Sequence, residues 1–131
     1  TNLTVAKNPG ASTMLTTGEN TLLTFSLTAD NAWNARITDM TFSVNGSVTL
    51  SSYSLYHENN RLADSPTPSF TLPQLPQDQT TIPAGTTKNY ILKGTVVSAM
   101  PGDSLTTVLN SAGIVTTSTV MGTPIQHTLS K

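Results

Sequence analysis

The chain has 131 residues and a mass of 13.8 kDa, the size of one domain. Only 10% of its residues are charged, against roughly 25% in an average soluble protein, and Ser and Thr together supply about three residues in ten. Six basic and seven acidic residues leave a net charge of -1 with no basic cluster, which excludes a nucleic-acid track and a polybasic membrane patch.

Leu, Ile, Val and Phe are frequent enough, at a net charge near zero, for a folded chain with a modest core. No apolar run approaches the roughly 18 residues of a membrane span. Cysteine is absent, so a disulfide framework and a cysteine metal site are both excluded. The chain opens on Thr1 rather than Met, so a processed or excised chain is expected. A surface of hydroxyls and amides with few Lys or Glu suits an extracellular location at the cell surface.

In chain order, Asn2, Leu3, Thr4, Val5, Ala6 and Lys7 alternate apolar and polar as a first strand. The sequence Asn8-Pro9-Gly10-Ala11-Ser12 then forms a joint. From Thr21 to Ala29, Leu23, Phe25, Leu27 and Ala29 share one face and Thr24, Ser26 and Thr28 the other, as a half-buried antiparallel strand requires. Ala35 and Ile37 are followed by Met40, Phe42 and Val44 in the opposite phase, which predicts a β-bulge near Thr38 and Asp39. A turn at Asn45-Gly46 leads to a short strand through Val48 and Leu50. Tyr53 to Glu58 then reaches a tight hairpin at Asn59-Asn60 that returns through Leu62.

Five prolines between Ser65 and Pro83 confine Phe70 to Leu72 to a sheet edge or an extended connection. Pro83-Ala84-Gly85 turns into the longest strand, Thr87 to Val97, with Tyr90, Leu92, Gly94 and Val96 on its core face and a central place in its sheet. Pro101-Gly102-Asp103 turns into Leu105 to Leu109, followed by Ile114 to Val120 and a last strand through Ile125, His127 and Leu129. No helix longer than a turn and no internal repeat is expected. The sum is about nine or ten short strands at regular spacing, a single antiparallel β-sandwich over residues 1–131.

The order of these features resembles the immunoglobulin-like β-sandwich modules of bacterial and archaeal cell-surface proteins. The residues that carry the likeness are Lys7-Asn8-Pro9, the strand after Gly18, Tyr53-Ser54-Leu55-Tyr56, Thr81-Ile82-Pro83-Ala84-Gly85-Thr86-Thr87-Lys88 and Pro101-Gly102-Asp103-Ser104-Leu105. The likeness spans nearly the whole chain, and it implies a stalk, adhesin, surface-layer or filament unit without a shared catalytic site. Modules of this class sometimes carry internal crosslinks between first and last strands, for which Lys7, or Thr4 with Gln126, are the residues present.

Chemistry-bearing residues are sparse. His57 and His127 stand on different predicted strands, no Gly-x-Ser-x-Gly elbow exists, and the carboxylates are scattered singly, so neither catalysis nor a metal or other cofactor is expected. Asp64 and Asp78 are the one pair that the Pro-rich loop would bring together for calcium. Asn2-Leu3-Thr4 and Asn45-Gly46-Ser47 fit the glycosylation acceptor pattern at Asn2 and Asn45.

Two functional expectations follow. The first is a structural subunit or module whose partners are copies of itself or neighbouring modules. It assembles by edge pairing or by donation of Asn2 to Lys7, with residues 1–8 exchanged with a neighbour; the alternative is that residues 1 to 7 pair within their own sandwich or with the next module of a longer chain. The second is a carbohydrate-binding module with glycan partners, in which Trp33, in the loop Asp30 to Asn34, stacks on a sugar face. The structural alternative for Trp33 is packing, either as a plug in the core between sheets or between subunits.

Overall fold

The computed structural model describes residues 2–8, 12–71, 81–110, 113–116, 119–122 and 124–131. Among these the chain is all-β with no α-helix. Its strands are β1 (Asn2–Lys7), β2 (Gly18–Ala29), β3 (Ala35–Thr41), β4 (Ser43–Gly46), β5 (Leu50–His57), β6 (Asn60–Ser65) and β7 (Ser69–Thr71). They continue with β8 (Thr81–Ile82), β9 (Thr87–Val96), β10 (Ser104–Leu109), β11 (Ile114–Thr116), β12 (Thr119–Met121) and β13 (Ile125–Ser130).

Hydrogen bonding groups them into three sheets: β12-β1-β2-β9-β5-β6, β13-β10-β4, and β11-β3-β7 with β8 also paired to β3. Neighbouring strands are antiparallel except β1 and β12, which run parallel.

The thirteen strands among the described residues exceed the nine or ten expected, and three local breaks account for much of the difference. Phe42 leaves the ladder of β3, its N–H donating to Pro68 O at 2.8 Å, and the chain crosses there from one sheet to another. The stretch expected as one strand from Ile114 to Val120 is two, β11 on β3 and β12 on β1, so its halves serve different sheets. Residues 69–71 and 81–82 both add short pairs to β3.

Two turns also move. Asn45-Gly46 is not a turn but the end of β4, paired with Thr106 and Leu105. The backbone of Leu105 and Ser104 passes so close to Gly46 that a side chain there would meet the Ser104 carbonyl. Val48 lies outside the strands, and Leu50 opens β5. The β5–β6 turn is Glu58-Asn59, with the positive φ of 55° on Glu58, because His57 already pairs with Asn60.

The core face reads as the alternation requires. Leu23, Phe25, Leu27, Ile37, Phe42, Leu55, Leu92, Val96, Leu105 and Leu109 are all buried. The expected phase change in β3 is present, since Val115 pairs with Asp39 and Thr116 with Ile37, leaving Thr38 as the extra residue. A second bulge, at Leu22 against β9, turns two successive leucines inward, and both are buried.

Phe42 ties the layers together. Its ring meets Phe25 of β2 at 5.8 Å and Phe70 of β7 at 6.1 Å, both edge to face, and Phe25 stacks on Tyr90 at 5.7 Å. The result is a sandwich-like arrangement of sheets around one apolar cluster.

Register also fixes the two ends of the molecule. Asn2 lies beside Ala29 and Asp30 at one end, where Asp30 N–H donates to Asn2 O at 3.1 Å. Lys131 lies at the other, where β9 hands over to β10: Gly102 N–H donates to Lys131 O at 3.1 Å, and Lys131 N–H to Asp103 O at 2.9 Å.

Candidate functional site

The candidate assembly residues Asn2, Leu3, Thr4, Val5, Ala6 and Lys7 form β1, which lies inside its own chain's sheet between β2 and β12. Leu3 is 0% and Val5 8% exposed, while Asn2, Thr4, Ala6 and Lys7 face solvent. The strand therefore carries two apolar anchors at spacing two, seated in the core, and a polar outer row.

Of the joint that follows, Asn8 donates its N–H to Thr24 O at 2.9 Å, and residues 9–11 lie outside the described residues. From Ser12 onward the chain is held by the other layer. His127 Nε2 lies 2.7 Å from Ser12 O, Ser130 N–H donates to Thr13 O, and Leu15 N–H donates to Ser130 O. Leu15 itself is fully buried, and the buried Asn20 carboxamide binds Thr16 through both its oxygen and its nitrogen. The described part of this N-terminal stretch thus contacts both layers, residues 2–8 on β2 and residues 12–15 on β13.

Asn2 and Asn45 are both exposed. The hydroxyl of the second acceptor triplet is engaged, since Ser47 Oγ donates to Asp103 Oδ1 at 2.8 Å and accepts from Ser104 N–H at 3.1 Å.

Trp33 is 75% exposed and does not plug the core, which corrects the expectation of a plug between the sheets. Its loop is braced on both sides. Asp30 accepts Ala32 N–H on Oδ1 at 3.0 Å and Asn2 N–H on Oδ2 at 2.9 Å, and Asn34 Oδ1 accepts Ala84 N–H at 2.9 Å. Gly85 sits beneath Asn31 with φ +73°, its N–H donating to Asp30 O at 2.8 Å. The tyrosines do not join Trp33 in an aromatic face: Tyr90 and Tyr53 are buried, and Tyr56 lies on the outer face of β5.

Around Tyr56 the few charges of this chain gather. Lys93 Nζ lies 4.7 Å from its ring centre, Arg61 Cζ lies 6.0 Å away, and Lys93 also faces Glu19 at 3.8 Å. Arg61 binds Asp64 at 2.9 Å, and Ser54 Oγ donates to the same carboxylate at 2.5 Å. The Tyr56 hydrogen bond and then the Asp64 charge hold the Arg61 guanidinium even more firmly protonated. Asp64 is therefore engaged within its hairpin, and Asp78 lies outside the described residues. Among the described residues no group of three or more His, Cys, Asp or Glu stands within metal-binding reach, and no enclosed pocket is present.

The remaining pairings separate. His57 packs against Tyr90 at 5.4 Å, whereas His127 is buried on β13. Thr4 pairs with Thr28 and Met121, and Gln126 pairs with Val108 in another sheet, so no crosslink geometry joins Thr4 to Gln126.

One feature escaped the sequence reading. Met14, Val97 and Met100 are exposed around the end that holds Lys131. The only signal for it was an apolar residue, Met100, directly before a Pro-Gly turn. Comparison with protein-family models, with curated proteins and with solved structures returned no match.

Proposed function

We propose that this chain is a non-enzymatic structural unit of an extracellular surface assembly, such as a filament, surface layer or adhesin stalk, built on an immunoglobulin-like sandwich. Strand order supports the fold. β1-β2-β9-β5 runs in the order A-B-E-D and β13-β10-β4 in the order G-F-C of that sandwich. The first strand is split, with β1 on β2 and the Met14–Ser130 bridge running parallel to β13. β6, β12 and the β11-β3-β7 group are additions to this frame.

The observation that carries the functional reading is β1 itself. A six-residue strand places Leu3 and Val5 in the core, yet joins the body through Asn8-Pro9-Gly10-Ala11-Ser12. The same slot between β2 and β12 accepts the equivalent strand of a neighbour with identical bonds, which is the mode of donor-strand exchange. Edge strands add a second route. β12, β4 and β7 carry no charged residue, whereas natural edges are usually guarded by charge.

A double variant, Thr4→Cys with Thr28→Cys, tests donation, because these residues are cross-strand partners in a chain with no native cysteine. Donation predicts disulfides between chains, seen as a ladder on a non-reducing gel of the assembled protein. Disulfides within single chains, with assembly unchanged, would remove donation and leave edge pairing. A chain that stays monomeric at every concentration would remove the assembly reading.

The second reading, a carbohydrate-binding module, is favoured by the exposed Trp33 ring on its braced loop beside Asn31. Glycan-array binding that is lost in Trp33→Ala supports it, and an array with no binding by the parent protein counts against it.

A further inference from the structure

Five large apolar side chains are exposed among the described residues: Trp33 at 75%, Met14 and Met100 at 66%, Val97 at 57% and Met121 at 50%. Four of them stand at the two ends of the molecule. Trp33 shares its end with Asn2, Asp30 and Gly85. At the opposite end, Met14 bridges to Ser130, Met100 belongs to the turn that binds Asp103 and Lys131, and Val97 N–H donates to Thr49 O just after β9.

We propose that these two ends are the halves of a single head-to-tail contact, in which the Trp33 ring of one copy seats on Met14, Val97 and Met100 of the next. This rests on the assembly reading above and specifies which surfaces meet.

Three features favour a second copy as the occupant. A two-fold contact would use one end twice and leave the other apolar group in water, whereas a translated contact covers both in every copy and generates an open filament. The surfaces also suit each other chemically. Methionine is unbranched and polarisable and moulds itself to an indole, while the backbone hydrogen bonds accepted by Asp30 and Asn34 hold the Trp33 loop and reduce the entropy lost on docking. Finally, the exposed acid beside Trp33 is Asp30 and the exposed cation at the methionine end is Lys131; Asp103 at that same end accepts the Met100 N–H and the Ser47 hydroxyl and engages the Lys131 charge only weakly, so the contact brings opposite charges together. Glu19, near the methionine end, is turned toward Lys93 at 3.8 Å.

The area sets the strength. A stable interface buries roughly 800 Å² on each partner, and one indole supplies at most about 250 Å². The end contact is therefore weak alone and acts to align copies that strand pairing holds.

The chain has one tryptophan, so its emission reports this end alone. Assembly of the full chain is expected to shift Trp33 emission to the blue and to lower acrylamide quenching several-fold. Met14→Ser with Met100→Ser should keep emission at the monomer value and raise the concentration needed for assembly about tenfold. For geometry, Trp33→Cys and Met100→Cys are prepared as separate proteins and mixed under oxidation. Mixed dimers in excess over either homodimer support the translated contact, and Trp33→Cys homodimers in excess overturn it. Assembly with unchanged Trp33 emission overturns the end contact while the assembly reading stands. No assembly by the parent chain overturns both.

Discussion

The Ser47 hydroxyl donates to Asp103 Oδ1 at 2.8 Å across 56 residues of chain, joining the bend after β4 to the turn between β9 and β10. Met100 N–H donates to Oδ2 at 2.8 Å. That backbone bond, then the Ser47 hydroxyl and more weakly the Lys131 charge, hold the Asp103 carboxyl below its ordinary value of 3.8. A carboxyl whose folded value is depressed stabilises the fold above its unfolded value, and the contribution is lost as pH falls through the folded one. The melting temperature is therefore expected to stay nearly level through neutral and mildly acidic solution and to fall below about pH 4. Asp103→Asn should melt lower at neutral pH and fall less steeply in acid. Equal acid slopes for the two proteins would remove Asp103 as the cause.

The alkaline side has a different origin. Tyr90 is fully buried and stacked on Phe25, and burial pushes its phenol well above the ordinary 10.0. Tyr53 is raised by burial as well. A raised folded value means that the stabilisation is complete below the unfolded value and is lost as pH climbs above it. Alkaline unfolding is thus expected beyond about pH 10, with Tyr90→Phe moving its onset to higher pH. Phenolate absorbance that develops fully with the fold intact would contradict this.

Phe42 has ring contacts on two sides, with Phe25 and with Phe70, at the point where the chain changes sheets. Replacing Phe25 or Phe42 by Ala is expected to destabilise the domain by about 3–5 kcal/mol. A double-mutant cycle between them should show coupling of about 0.5–1.5 kcal/mol. Denaturant unfolding measures both quantities. Losses below about 1 kcal/mol at each position would mean that this cluster does not hold the layers together.

The parts legible in the sequence were those that depend on period two within one strand. The faces of β2 and β9 and the extra residue at Thr38 all follow from which side a residue points to, and that needs no knowledge of the partner. The partner itself is not written there. Ile114 to Val120 alternates as one strand, but its halves find different sheets because β3 and β1 offer separate edges. Trp33 was ambiguous for a similar reason: Ala84 and Gly85, some fifty residues away, brace its loop and leave the ring outside. The methionine end draws on residues 14, 97, 100 and 131, whose proximity depends on closure of both layers.

Gly94 occupies the core face of the central strand β9, where Leu22 and Leu50 close over it. A Cβ there would lie 2.5 Å from Leu50 Cδ2 and 2.9 Å from Leu22 Cδ1. Since both leucine tips are packed in or against the core, Gly94→Ala should destabilise by about 1–3 kcal/mol through overpacking, and Gly94→Val by more. Leu50→Val should recover part of the loss when combined with Gly94→Ala. No recovery in denaturant midpoint would place the strain elsewhere.

Gly85 links stability to the Trp33 end. Its φ of +73° lies in the left-handed region, and a Cβ at this position would run into Asn31 Oδ1. Alanine there carries a backbone penalty of about 1–2 kcal/mol, and the exposed Asn31 carboxamide has to turn aside from the loop that presents the indole. The two contributions separate in a pair of variants. Gly85→Ala alone should lose both stability and assembly, whereas Gly85→Ala with Asn31→Ala should remove the clash, keep the backbone loss and regain part of the assembly. Urea unfolding reads the first quantity and sedimentation the second, with Trp33 emission reporting whether the loop has moved. If Gly85→Ala assembles as the parent chain does, the set of this loop has no bearing on how copies meet, and the contact between ends loses its structural basis.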